Sequence, residues 1–141
     1  MSEGRLSILL VEDDDVAAES VTRSLRGNGV SYAITVAEDG LVALEILRGK
    51  HPQRCIRKPY VILLDLNMPR MNGFEFLQEL RADRSLRESV VFVLTTSNSD
   101  EDRTRAYQEN IAGYMVKAAV GPQFSKLSRL LDTYLAAVKL P

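Results

Sequence analysis

YVILLDLNMPRMNGFEFL, residues 60–77, decides the reading of this chain. Tyr60 to Leu64 is an unbroken apolar run that ends at Asp65. Such a run predicts a strand buried on both faces, as in a parallel sheet. A carboxylate is costly to bury unless it is paired or bound to a cation. Asp65 is therefore expected where the strand ends and the sheet opens. Asn67-Met68-Pro69 turns the chain, and Asn72-Gly73 bends it again before a helix with Phe74, Leu77 and Leu80 on one side. Asp65 lies too far before that helix to cap it, so the strand end presents a rigid carboxylate to a ligand.

The same pattern repeats outward from this stretch. Leu6 to Val11 predicts a first strand, ending in Glu12-Asp13-Asp14-Asp15. A helix with Ala17, Val21 and Leu25 on one face follows and stops at Gly27-Asn28-Gly29. Tyr32, Ile34 and Val36 alternate as a second strand, and Asp39-Gly40 precedes a short helix bearing Leu44 and Leu47. A polar connection with a basic cluster, Gly49 to Pro59, leads to the central strand. Val90 to Leu94 is a fourth buried run, ending in Thr95-Thr96-Ser97, and a helix capped around Asn98-Ser99-Asp100 runs to about Asn110. Gly113 to Val116 is a fifth strand, ending in Lys117, and Gly121-Pro122 is expected to open the last helix.

Strand and helix alternate five times, which predicts an α/β fold with a doubly wound parallel sheet and right-handed crossovers. Ligands bind beyond the carboxyl ends of such strands. The first polar residues after the apolar runs are Glu12 and Asp13, Asp65, Thr95 and Lys117, all expected at that edge.

The composition narrows the classes. With 141 residues the chain suits one domain, residues 1–141, and 18 Lys and Arg against 19 Asp and Glu leave no basic footprint for nucleic acid. The lone Cys55 forms no internal bridge and fits a reducing cytoplasm. No apolar run reaches membrane length, so neither an anchor nor a signal peptide is expected.

Carboxylates gathered at one point repel unless a cation joins them. Hard oxygen ligands suit Mg²⁺, with a turn carbonyl such as that of Asn67 completing the shell. A carboxylate can take a phosphoryl group as a nucleophile, and Lys117 and the Thr95 hydroxyl could steady the transferring oxygens. Singly these residues have plainer uses: Lys117 as a neutralising charge, Thr95 in a turn, Asp14 and Asp15 at a helix start. As a set at one sheet edge they point to phosphoryl chemistry.

The motifs ILLVEDD (8–14), VILLDLNMPRMNG (61–73), VFVLTTS (91–97) and GYMVK (113–117) resemble the receiver domains of two-component response regulators, over essentially the whole chain. The resemblance implies a flavodoxin-like fold of strand order 2-1-3-4-5 with no output domain. It implies Mg²⁺ on Glu12, Asp13, Asp65 and the Asn67 carbonyl, phosphorylation of Asp65 by a partner histidine kinase, and a switch through Thr95, Lys117 and Tyr114. It implies a phosphoacceptor switch rather than an enzyme. The polar Gly49–Pro59 connection and the LTTS run are similar to stand-alone regulators of bacterial and cyanobacterial phytochrome kinases.

Two departures from the family pattern stand out. Ala118 replaces the proline that usually follows the lysine in a cis bond, and a trans Lys117–Ala118 bond is expected, because a cis bond before alanine costs about 3–4 kcal/mol. Glu12 replaces an aspartate while keeping the oxygen ligand. An aspartyl-nucleophile phosphatase would need an acid at Asn67, and a flavin carrier would need a phosphate loop where Glu12 to Asp15 stand. A receiver that serves only as a binding scaffold is the third rival. In the last helix, Phe124, Leu127, Leu131, Leu135 and Val138 are expected to face the sheet. Leu130, Tyr134 and Ala137 form a second apolar strip, which predicts a homodimer through the fourth-helix, fifth-strand and fifth-helix surface.

Overall fold

The computed structural model describes residues 6–27, 32–121 and 124–141. Five strands, β1 (Leu6–Val11), β2 (Tyr32–Ala37), β3 (Tyr60–Leu64), β4 (Val90–Thr95) and β5 (Gly113–Val116), form one sheet in the order 2-1-3-4-5. Every adjacent pair is parallel. Between them lie α1 (Asp15–Arg26), α2 (Gly40–Leu47), α3 (Gly73–Ala82) and α4 (Asp100–Tyr107), and α5 (Ser125–Ala137) follows β5. The doubly wound arrangement is the one expected from the alternating runs.

Side chains of a strand alternate between faces, and the core divides accordingly. Leu9, Val11, Ile62, Leu64, Val91 and Val93 pack with α2 and α3 on one face. Ile8, Leu10, Val61, Leu63, Phe92 and Leu94 pack with α1 and α5 on the other. The continuous apolar runs are thus explained, since each strand needs oil on both sides.

Local chemistry sets the helix starts. Asp14 caps α1 by accepting from Val16 N at 2.9 Å, so its role is the plain one expected. Asn72 and Glu75 form a reciprocal capping box at α3, with bonds of 2.9 and 3.0 Å. Asp65 lies well before this cap.

Two helices are shorter than the sequence predicts. α4 ends at Tyr107 rather than near Asn110, because Glu109 and Asn110 bond back to Ala106 and Tyr107, and Asn110 then turns left-handed at φ 60°. α5 begins at Ser125. Gly121 (φ 84°) and Phe124 (φ 58°) are both left-handed and break any earlier helix. Pro122 lies outside the described residues, as do Asn28 and Gly29. α5 also ends at Ala137, where the backbone turns extended, so Val138 leaves the inward stripe and is 39% exposed.

Some ties have no signature in the periodicity. Arg81, at the end of α3, donates to the carbonyls of Glu109, Arg87, Ser89 and Asn110 at 2.8–3.1 Å. It closes the sheet edge opposite the polar strand ends. Arg54 folds the 49–59 connection along β2, donating to Val36 O and Glu38 at 2.6 Å.

Candidate functional site

Register brings the polar strand ends together. Val11 pairs with Leu64, so Glu12 and Asp65 follow at one level on neighbouring strands. The Asp65 amide donates to Val11 O and the Glu12 amide to Ala37 O, both at 3.0 Å. Thr95 pairs with Val116, the residue before Lys117. Glu12, Asp65 and Thr95 are buried, Lys117 and Tyr114 half-buried, and Asp13 and Asn67 exposed.

Glu12, Asp13 and Asp65 each offer an oxygen, and these lie within 4.8 Å of one another. Lys117 Nζ stands 2.7 Å from Glu12 Oε1 and 3.8 Å from Asp65 Oδ2. Two of the three carboxylates thus share one ammonium, and Asp13 has none in contact. Burial pushes Glu12 up to about 7, with the nearby Asp65 charge adding to it, against the lowering pull of the Lys117 hydrogen bond. Burial alone would lower the Lys117 ammonium. The Glu12 hydrogen bond and the charges of Glu12, Asp65 and Asp14 outweigh it, and the net shift is upward. Glu12 holds its proton chiefly because it is buried, and Lys117 holds its own because of the acids around it. A pocket of hard oxygens short of positive charge fits a divalent cation.

The Glu12 shift has a measurable sign. A carboxyl whose folded value is about 7 against 4.5 binds more protons folded than unfolded in between. Its contribution is fully present below 4.5 and is lost as pH rises through about 7. Metal-free protein should therefore lose stability across that window in thermal melts, and Glu12→Gln should flatten the loss. An unchanged slope in Glu12→Gln would place the titrating group elsewhere.

The remaining residues frame the carboxylates. Asn67 N donates to Asp65 Oδ1 at 3.3 Å, folding the turn over the acid. Thr95 Oγ1 accepts weakly from Ser97 N at 3.4 Å. The Tyr114 hydroxyl donates to Ser97 O at 3.1 Å, so the ring already leans on the β4–α4 loop. Ser97 Oγ donates to Asp102 Oδ2 at 2.7 Å, which ties that loop to α4. The sequence reading missed Ser97, although it closes the LTTS run.

Lys117 opens a short 3₁₀ turn, Lys117–Ala119. Among the described residues the only cis bond is Lys58–Pro59, so Lys117–Ala118 is trans, as its alanine predicts. The trans bond still lets Lys117 reach two carboxylates. On α5, Leu130 is 42% exposed as expected, but Tyr134 is half-buried and meets Phe92 edge-on at 5.1 Å. Tyr134 thus belongs to the margin of the core.

Comparison with known proteins agrees with this geometry. The chain is 37% identical over 131 residues to the probable methanogenesis regulatory protein FilR2 of Methanothrix harundinacea, covering 93% of this chain and 82% of that one. It is 30% identical over 135 residues to the response regulator Rcp1 of Synechocystis, covering 95% and 92%. A Mn²⁺-bound structure of Rcp1 superposes with a TM-score of 0.83, covering 96% of this chain and 98% of that one. The phosphorylated cyanobacterial phytochrome response regulator RcpA superposes with a TM-score of 0.87 at 29% identity, covering 97% and 99%. No helix among the described residues is long and apolar enough to cross a membrane. Residues 8–127 match the model of the response regulator receiver domain, and the chain belongs to that family.

Proposed function

We propose that this receiver accepts a phosphoryl group on Asp65 from the phosphohistidine of a partner histidine kinase, with Mg²⁺ bound. The observation that carries the reading is the gathering of Glu12, Asp13 and Asp65, with Lys117 against Glu12 and Asp65. An Asp65 carboxylate oxygen attacks phosphorus, the P–N bond breaks, and the imidazole leaves with the electron pair. Glu12, Asp13, Asp65 and the Asn67 carbonyl would hold Mg²⁺, which supplies positive charge against the transferring oxygens. Lys117 moves toward the new phosphoryl oxygens, and Thr95 turns its hydroxyl from Ser97 N to the same group. Tyr114 follows the loop inward. The phosphoryl group favours one of two states close in energy, and the α4–β5–α5 face changes its binding properties. The protein acts as a switch rather than turning over a substrate.

The likeness to a phytochrome response regulator supports a phytochrome-type kinase as the donor, and the lone cysteine supports a cytoplasmic setting. Incubation with a small phosphodonor and intact-mass measurement tests the reading. Labelling should require a divalent cation, and Asp13→Asn should weaken Mg²⁺ affinity far more than Asp14→Asn or Asp15→Asn. Asp14 is committed to capping α1. Equal losses at all three would misplace the metal, and an unlabelled wild type would favour the scaffold reading.

We also propose a two-fold homodimer through the α4–β5–α5 face, in which the exposed Leu130 and the half-buried Tyr134 meet their symmetry mates or the neighbouring α4. Because Tyr134 packs on Phe92, Leu130→Glu alone is the clean variant. Light scattering should give a dimer for wild type and a monomer for Leu130→Glu. A monomeric wild type at tens of micromolar, phosphorylated or not, would remove the proposal.

A further inference from the structure

Asp39 is an acid that phosphotransfer does not use, yet it is only 3% exposed. It follows β2 at the same edge of the sheet as the carboxylate cluster. One oxygen caps α2, accepting from Val42 N at 3.0 Å. A neutral asparagine or serine would cap as well. The charge is needed by the other oxygen, which accepts from Arg70 Nε at 2.7 Å and pairs with Arg70 Nη2.

Arg70 lies in the β3–α3 loop, between Asn67 and the α3 cap. Its backbone is left-handed at φ 62°, a conformation that a side chain with a Cβ keeps only where its surroundings impose it. The Asp39 carboxylate holds the Arg70 side chain at this point. A second tie lies beside it, where Gly40 N donates to Met71 O at 3.3 Å. A Cβ on Gly40 would come within 2.8 Å of Met71 Cγ, so the loop rests directly on the β2–α2 turn. At its far end the loop is closed by Gly73 N on Leu66 O at 3.0 Å. Asn67 lies between these anchors, is exposed, and has its amide on Asp65 Oδ1 at 3.3 Å.

We propose that Asp39 is a positioning residue for the divalent-cation site. Through its charge pair with Arg70 it fixes the 66–72 loop, and so the direction in which Asn67 presents its carbonyl beside Asp65. This rests on the reading that the Asn67 carbonyl is a metal ligand. Groups that orient a ligand without touching the ion are known to affect affinity strongly.

Asp39→Asn, Arg70→Ala and the double variant test it, with Mg²⁺ affinity measured by calorimetry. Asparagine retains the α2 cap, so the fold should hold. Each single variant should bind Mg²⁺ about tenfold more weakly, and the double no more weakly than either single. Amide exchange on metal-free protein gives a second readout. Residues 66–73 should exchange faster in Asp39→Asn while β1 and β3 keep their protection. Wild-type affinity in Asp39→Asn, additive losses in the double, or faster exchange spread over the whole sheet would each overturn the proposal. If the wild type binds no Mg²⁺, the metal reading fails by itself, and the exchange pattern alone decides whether Asp39 holds the loop.

Discussion

Asp65→Asn is expected to abolish labelling by a small phosphodonor and to leave the fold intact. The amide keeps the shape of the carboxylate but removes the nucleophilic oxygen charge. Nothing else in the site is equipped to replace it. Glu12 is buried and bonded to Lys117, and Asp13 is exposed with no ammonium in contact. The fold should persist because Asp65 is anchored by its backbone amide on Val11 O, and the asparagine oxygen can still accept from Asn67 N. Removing one of three neighbouring carboxylates also relieves repulsion, so a small gain in stability is expected. Intact mass before and after donor treatment, with thermal melts alongside, checks both parts. A variant that still gains the mass of one phosphoryl group would move the nucleophile to Asp13 or Asp14.

Gly73→Ala should lower stability and slow labelling together. On propensity alone alanine would strengthen a helix, by roughly 0.5–1 kcal/mol over glycine. Packing reverses the sign. A Cβ at residue 73 would lie 2.7 Å from both Asp65 O and Leu66 Cα, and neither backbone atom can rotate away. The helix cannot slide instead without breaking the Asn72–Glu75 capping box. Overpacking of this kind costs about 1–3 kcal/mol. One of the displaced atoms is the carbonyl oxygen of Asp65 and the other is in the next residue, so the Asp65 carboxylate must shift as well. Denaturant midpoints and phosphodonor rates provide the check. Stability and rate both at wild-type level would mean that the β3–α3 junction is softer than its contacts imply.

The comparison of sequence and structure turns on which forces are local. The five strands were legible because each is a run of apolar residues that only a two-sided burial explains. The edge residues Glu12, Asp65, Thr95 and Lys117 were legible for a related reason: a polar group that directly follows a buried run must sit where the sheet opens. The trans bond at Lys117–Ala118 followed from the chemistry of alanine alone.

Helix ends were less legible. The stop of α4 at Tyr107 and the late start of α5 at Ser125 depend on left-handed residues, Asn110, Gly121 and Phe124, and the phenylalanine gives no warning in the sequence. How deeply Tyr134 packs was not legible, because helical spacing fixes an angle round the axis but not the depth of the neighbouring ring, here Phe92.

By itself the sequence determined the parallel α/β fold and the line of polar residues at one edge, since both follow from the order of buried and polar residues along the chain. Only the tertiary structure decided that Lys117 reaches Glu12 more closely than Asp65, that Ser97 joins the β4–α4 loop to α4 and Tyr114, and that Asp39 grips Arg70. These pairs join residues from separate turns. Their partners are chosen by strand register and by the distance between loops, and no periodicity in the sequence records either.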